Sequence, residues 1–310
     1  MTEIATLTMN PAIDAGYDVD RVTHTRKLRA SSGSYDPGGG GINVARVLVR
    51  LGASARCYYL SGGATGVAFD GLLNLHQLVT ERIPIADQTR ISTTVRESTS
   101  GLEYRVVPPG PVVTEPEWRE CLDRLGKIRG DVLVISGSLP EGVPSDFYAQ
   151  AVRSLQGRGI RIFLDSSGRG LAGAIEDGGI FLIKPSLDEL QELVGKALPK
   201  PEDIVAAAHS IVHTGGAEHV AVSLGAEGAI LVSGTSHLRL PAVPVDTCSA
   251  VGAGDSFLAA MVFRLSQGDE MEQAFRFGLA AGAAAVTTPG TDLARAEDIW
   301  RLYNEAVPRT

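Results

Sequence analysis

The chain has 310 residues, 44% of them hydrophobic and 21% charged, with a formal net charge of −8. That length suits one large α/β domain or two smaller ones. The acidic balance argues against nucleic acid or an anionic membrane as the main partner, so any phosphate-bearing ligand must be held by locally placed cations. Three cysteines, Cys57, Cys121 and Cys248, lie far apart without CxxC spacing, as expected in a reducing compartment with no structural disulfide. No apolar run reaches the ~18–20 residues of a membrane span. The first residues carry no basic flank or signal-type segment, so the expected location is the cytoplasm.

Residues 4–9 read as a strand ended by Asn10-Pro11, and a polar, irregular segment is expected from there to about residue 26. Residues 28–35 read as an extended edge strand. Pro37 and four glycines then break the chain before residues 42–51, a helical pattern stopped by Gly52. A strand over 56–60 and a helix over 67–78 follow. Residues 91–96 and 102–107 flank a Ser-Thr-Ser-Gly turn, the signal of a hairpin. Strand runs at 132–136, 160–164, 180–183 and 219–223 alternate with helical stretches near 115–129, 145–157, 186–194 and 202–213. This is the pattern of a mostly parallel sheet covered by helices. A hairpin-like pair at 228–232 and 237–240 and helices near 254–267, 270–286 and 296–306 close the chain. Without a linker, repeat or low-complexity segment, one domain over 1–310 is expected. A strand-rich accessory from about 15–36 and 89–107 should cover a site or pair with a second subunit, because a small sheet with an uncovered face stands poorly alone.

Several familiar sites are excluded. A P-loop needs GxxxxGK followed by Ser or Thr, and Gly126-Lys127 and Gly195-Lys196 are followed by Ile and Ala. A dinucleotide fingerprint at Gly252 and Gly254 would want Gly or Ala at residue 257, which is Phe. His209 and His213 lie four apart near His219, but no carboxylate completes a metal set. No GxSxG or HExxH occurs.

Four stretches carry chemistry. In Ser249-Ala250-Val251-Gly252-Ala253-Gly254-Asp255-Ser256, two glycines and an acid open into an apolar helix. Unpaired amides at such a start hold an anion, and Asp255 beside them can take a proton from an incoming hydroxyl. An ordinary helix cap is the plainer alternative. In Asp36-Pro37-Gly38-Gly39-Gly40-Gly41-Ile42-Asn43, four glycines permit close backbone approach and Asn43 offers two-way hydrogen bonding. Asp14, just past a strand end, can accept from two vicinal hydroxyls, as a sugar site requires. Lys27, Arg29, Arg90 and Arg105 lie in or beside the accessory strands and suit a phosphate dianion, with edge protection as the rival role. The turn at 223–229 suits nucleotide phosphates or a simple hairpin.

Taken in order, TLTMNPAID, PGGGGINVAR, SGGATG, ISGSLPEGV, DSSG, IKPS, VSLGAEGA, VGAGDS and FGLAAGAAAVTTPGT resemble the ribokinase-like (PfkB) carbohydrate kinases over nearly the whole chain. The resemblance implies an α/β fold: a three-layer α/β/α sandwich with a mostly parallel sheet and a small β-sheet lid. It also implies a phosphotransferase using ATP and Mg2+, with K+ as a further cation, and a homodimer formed through the lids. The branch resembled acts on phosphorylated sugars. Its fructose-1-phosphate and tagatose-6-phosphate kinases typically carry Lys inside the glycine run (PGGKGINVA), where this chain has Gly40. The implied reaction is therefore phosphorylation of fructose 6-phosphate at its 1-hydroxyl. Those two kinase activities are the alternatives within the family, and a non-catalytic sugar-phosphate-binding regulator the alternative outside enzymes.

Residue by residue, the resemblance implies Asp255 as the base and the amides of Gly252, Ala253 and Gly254 as the anion hole. Asp14, Gly38, Gly39 and Asn43 would hold the sugar. Lys27, Arg90 and Arg105 would hold its 6-phosphate with Ser138 close by, and Arg29 would act across a dimer interface. Lys184 and the segment through Ser223, Gly225 and Gly228 would contact ATP, with Thr247 and Ala283 lining its pocket. Ser249, Val251, Ala285, Thr288 and Gly290 would form a monovalent cation site. The family's Asn-x-x-Glu motif appears as Ser186-Leu187-Asp188-Glu189. Glu189 would serve Mg2+ through water, while Ser186 offers fewer hydrogen-bonding groups than Asn, which bears on metal positioning.

Overall fold

The computed structural model describes residues 2–288, 290 and 292–306. Strand β1 (Ile4–Thr8) leads into β2 (Ala12–Val19), β3 (Ala30–Gly38) and helix α1 (Gly40–Arg50). Next come β4 (Ala55–Gly62), α2 (Gly63–Leu73), β5 (Val79–Ile85), β6 (Arg90–Glu97) and β7 (Glu103–Val106). Then α3 (Glu115–Leu125), β8 (Val132–Ser136), α4 (Phe147–Leu155), β9 (Arg161–Asp165), α5 (Gly168–Asp177) and β10 (Ile180–Ile183) alternate. The chain ends with α6 (Leu187–Val194), α7 (Pro201–His213), β11 (Ala217–Ser223), β12 (Ala229–Ser233), β13 (Ser236–Leu240), α8 (Ala253–Ser266), α9 (Met271–Val286) and α10 (Ala296–Ala306).

Nine strands form one sheet in the order β13-β12-β11-β10-β9-β8-β1-β4-β5. From β5 to β11 all neighbours are parallel, and β12 and β13 add an antiparallel edge. Alternation along each strand assigns side chains to two cores. Val132, Val134 and Phe163 join α1, α2, α8, α9 and α10 on one face, whereas Leu133, Ile135, Ile162 and Leu164 join α3 to α7 on the other. The result is the three-layer α/β/α sandwich. Helix α1 shows how locally this is encoded: Val44, Val47, Leu48 and Leu51 repeat at helical spacing and are buried. Gly52, at φ +91°, lets the chain leave the helix where an L side chain would be strained.

A second sheet of four strands, β3-β2-β6-β7, stands apart from the first. Its middle pair, β2 and β6, is parallel; the outer pairs are antiparallel. Three elements depart from the sequence reading. The segment expected to be irregular up to residue 26 contains β2. Its Asp-Ala-Gly-Tyr-Asp run lacks a clear apolar alternation, and it is a strand because partners from residues 30–38 and 90–97 flank it. The helix expected over 67–78 ends at Leu73, and Val79–Ile85 forms an edge strand that tolerates Pro84 because one side needs no ladder donor. Helix α5 was not signalled, since Gly168, Gly170 and Gly173 dilute its pattern.

Candidate active site

The parallel strands deliver their carboxyl ends to one edge of the sheet, and the chain winds to opposite faces on either side of β1 and β8. Such a switch point leaves a crevice beyond the strand ends. Asn10 and Asp14 follow β1, Ser136 and Ser138 end or follow β8, Asp165 ends β9, Lys184 follows β10 and Ser223 ends β11. The start of α8 comes in from above.

There Gly252 adopts a left-handed conformation, φ +73°, and an added Cβ would overlap Leu293. The turn opens α8, whose first amides lie at the positive end of the helix dipole, a place that suits an anion. Asp255, in the first turn, accepts from Asn43 Nδ2 at 2.9 Å through Oδ2, while Ser136 Oγ lies 3.5 Å from Oδ1. Burial pushes its carboxyl above the usual range, opposed by Asn43, Lys184 and Ser136. Lys184 and Asp165 form a buried ion pair at 3.2 Å, side chains 5% and 13% exposed. Lys184 lies so close to the α8 backbone that a Cβ on Gly254 would sit 3.1 Å from Nζ. Burial raises Asp165 to about 7, with Lys184 pulling down and the charges of Asp255 and Glu189 pushing up.

On the other side of Asp255, glycines bring α1 against β1 and β8. An added Cβ at Gly40 would overlap Ser136 Oγ, and Ile42 N donates to Thr8 Oγ1 at 3.0 Å. At Gly38 an added Cβ would overlap the Asp14 carboxylate, and Gly39, at φ +121°, takes a conformation that L side chains rarely adopt. Asp14 is raised to about 6 by burial, against the pull of Arg105 and Arg90. Arg90 donates to Asn10 O at 3.0 Å, and Asn10 Nδ2 donates to Ser138 Oγ at 3.2 Å. Thus Asp14, Arg90, Arg105, Ser138, Gly38, Gly39 and Asn43 converge from separate parts of the sequence. Lys27 and Arg29 do not join them. They lie exposed in the β2–β3 connection, beyond the Val19–Ala30 pairing and five residues along β2 from Asp14, roughly 17 Å at the usual strand rise.

The residues expected to contact the nucleotide lie as follows. Ser223 N donates to Pro185 O at 3.0 Å, bringing the turn after β11 beside the Lys184 segment. That turn is shaped by Gly225 (φ +59°) and Gly228 (φ +100°). Thr247 is exposed ahead of α8 and Ala283 half-buried on α9. Ser249 Oγ donates to Gly290 O at 3.2 Å, Val251 N donates to Ser249 Oγ at 3.3 Å, and Thr288 Oγ1 lies 2.7 Å from both Ala285 O and Asp292 O. The five residues expected to hold a monovalent cation therefore lie at the end of α9 and in the two segments hydrogen-bonded beside it.

Ser186 acts as the N-cap of α6: Glu189 N donates to its Oγ, and Glu189 Oε2 accepts from Ser186 N at 2.7 Å and Ser186 Oγ at 2.9 Å. This is a reciprocal capping box. Among the described residues no group of three or more His, Cys, Asp or Glu is placed so that it could hold a metal ion. The donors facing the crevice are carboxylate oxygens, which suit Mg2+ held by one or two carboxylates, waters and substrate phosphates. Sequence reading missed Asp165, Ser136 and Arg46. Arg46 is 4% exposed, donates to Pro37 O at 3.1 Å and pairs with Asp36 at 3.3 Å, anchoring the turn that carries Gly38. The DSSG and ISGS strings contain the first two, but only the adjacency of β8, β9 and α8 singles them out.

Comparison with known proteins fits this geometry. The profile of the pfkB family of carbohydrate kinases matches residues 7–298. The chain is 41% identical over 309 residues to ATP-dependent 6-phosphofructokinase isozyme 2 of Mycobacterium tuberculosis, covering 99% of this chain and 91% of that protein. It is 40% identical over 309 residues to the Escherichia coli protein of the same name, covering 98% of each. The crystal structure of E. coli phosphofructokinase-2 with fructose-6-phosphate superposes with a TM-score of 0.92 at 38% identity, over 98% of this chain and 99% of that one. A buried acid at a helix start, glycine turns on both sides and family likeness from end to end lead to one conclusion: this chain belongs to the pfkB family of carbohydrate kinases.

Proposed function

We propose that the protein transfers the γ-phosphoryl group of ATP to the 1-hydroxyl of fructose 6-phosphate. The observation that carries this reading is Asp255 itself. It stands in the first turn of α8, whose leading amides suit a phosphoryl group, and is joined through Asn43 to the helix that the glycine run opens. Asp255 takes the hydroxyl proton as the oxygen attacks, and its raised proton affinity favours that uptake. The amides of Gly252, Ala253 and Gly254, with Lys184, stabilise charge on the moving group. Asp14 accepts from sugar hydroxyls, Gly38 and Gly39 admit the ring closely, and Arg90 and Arg105, with Ser138, receive the 6-phosphate. Glu189 and Asp165, through water, would hold Mg2+, which neutralises phosphate charge when bound. The turns at Ser249 to Val251 and Ala285 to Gly290 would hold K+ through oxygen atoms.

The sugar choice rests on Gly40. Where the 1-phosphate and tagatose kinases of the branch carry Lys, this backbone leaves no room for a Cβ beside Ser136. Two assays test the reading. Fructose 6-phosphate should outrun tagatose 6-phosphate and fructose 1-phosphate with purified protein; if it is the poorest of the three, the substrate assignment falls. Asp255→Asn should lose turnover by about 10²-fold or more while still binding sugar phosphate, and unchanged turnover would defeat the mechanism.

The small sheet acts as a lid and as the dimer interface. Strand alternation puts Asp14 and Arg105 on one face, and Tyr35, Tyr104 and Val106 on the other, 56%, 43% and 64% exposed. An apolar face of this kind is covered by a second copy of itself, which would also bring Lys27 and Arg29 to the neighbouring sugar site. No helix among the described residues is long and apolar enough to cross a membrane, and a cytoplasmic location suits free thiols at Cys57, Cys121 and Cys248.

A further inference from the structure

Helix α1 carries Asn43, Arg46 and Arg50 at positions i, i+3 and i+7, the spacing of a single helix face. Asn43 reaches the base and Arg46 the sugar-side turn. Arg50 reaches a third place. Its guanidinium pairs with Asp292 at 2.9 Å and donates to the carbonyl oxygens of Leu293 and, at 3.3 Å, Ala294. These three consecutive residues lie in the return between α9 and α10, which passes against the start of α8.

At that crossing Leu293, 1% exposed, lies directly against the α-carbon of Gly252. The approach to α8 is stitched to the end of α9 by Cys248 N donating to Val286 O at 2.7 Å and to the return by Ser249 Oγ donating to Gly290 O. Thr288 Oγ1 closes its turn. The left-handed turn at Gly252 therefore rests on a segment whose hold on α1 is Arg50.

We propose that Arg50 is a positioning residue for the phosphoryl-binding amides. By gripping Asp292, Leu293 and Ala294 at once, it keeps Leu293 seated under Gly252 and so fixes the direction of the Ala253 and Gly254 amides. The task needs arginine, because a planar fork offers several donors in fixed geometry where lysine offers one point charge. The ion pair itself is about 30% exposed on each side, so its Coulomb attraction alone is modest, and the geometry of three bonds matters more. Asp292 is held on its other oxygen by Arg295 at 3.2 Å, which keeps the acceptor in place. Arg46, Arg50, Asp36, Asp14 and Asp292 form one electrostatic neighbourhood. The α1 face thus runs from the sugar acid to the support of the phosphoryl site.

The role rests on the phosphoryl-transfer reading, and the experiment separates the two. Full-length wild type, Arg50→Met, Arg50→Lys and Asp292→Asn are compared by amide hydrogen exchange and by steady-state kinetics. In Arg50→Met, exchange should rise about tenfold in 249–254 and 288–294 and stay unchanged in β8, β9 and α4. Turnover should fall about 10- to 100-fold, or KM for ATP rise by that factor, with KM for fructose 6-phosphate within about threefold of wild type. Arg50→Lys should be intermediate, and Asp292→Asn milder than Arg50→Met, because two carbonyl bonds persist. Wild-type exchange in 249–254 of Arg50→Met would overturn the proposal, as would a uniform rise along the chain, which marks a merely structural residue. If the wild type phosphorylates no sugar phosphate, the transfer reading falls, and the exchange pattern still decides the role of Arg50.

Discussion

Asp14 and Gly38 show how two residues can share one function. The carboxylate occupies the space that a side chain at residue 38 would need, so Gly38→Ala must push it away from its partners. The expected outcome is a KM for fructose 6-phosphate raised about tenfold or more, with KM for ATP within about twofold, read by initial rates. The same burial fixes a pH dependence. Asp14 titrates at about 6 in the free protein, so as pH falls through that value it loses the charge that accepts hydroxyl protons, and kcat/KM for the sugar phosphate should drop. In Asp14→Asn that acid limb should vanish from an already low profile. Stability moves the opposite way. A carboxyl with a folded pKa above its unfolded value binds more protons when folded, so the ligand-free protein gains stability as pH falls from about 6 toward 4. Thermal unfolding should show this gain reduced in Asp14→Asn.

Helix α6 is short, and its start carries a structural task beside the metal role proposed for Glu189. Ser186 satisfies an amide of the first turn, and Glu189 folds back on it. Ser186→Ala should therefore cost about 1 kcal/mol in urea unfolding and should also raise the Mg2+ concentration needed for half-maximal rate, because Glu189 loses the hydroxyl bond and keeps only the one from the backbone N–H of residue 186. Ser186→Asn keeps a good N-cap and should match wild-type stability within about 0.5 kcal/mol. The Ser in place of Asn thus reads as an alternative cap for the same acid. The strand β2 teaches a different lesson. Its composition signals a loop, and its extended form comes from two flanking strands supplied by distant segments.

In the assembled molecule, the small sheet separates two kinds of residue by alternation alone. One face holds acids and arginines over the crevice; the other leaves Tyr35, Tyr104 and Val106 exposed, with Tyr35 meeting only Tyr17 of the same face, hydroxyl to hydroxyl at 2.7 Å. Sedimentation should find the wild type dimeric and a Tyr104→Glu, Val106→Lys variant monomeric. Because Lys27 lies at the far end of the hairpin from Asp14, the monomer should also lose affinity for sugar phosphate, by about tenfold, with ATP affinity retained. A variant that stays dimeric, or a monomer with full sugar-phosphate affinity, would show that the lids do not complete one another's sites.

The alternation of apolar runs specified a mostly parallel sheet covered by helices, and the glycine-bounded helix starts at α1 and α8 were visible as such, because both depend on local periodicity and on residue types with strong backbone preferences. Asp255, Asn43 and Asp14 could be picked out for the same reason: each sits beside such a start or strand end. The sequence could not place Asp165 next to Lys184, Ser136 next to Asp255 or Arg50 against Leu293. These pairs join residues from 19 to 243 positions apart, and only the parallel order of β8, β9 and β10 and the crossing of the α9–α10 return with α1 bring them into contact. Nor could it show that Asp255 at the start of α8 is joined to α1 through Asn43. That depends on close approach of backbones, which glycine permits and tertiary packing alone enforces.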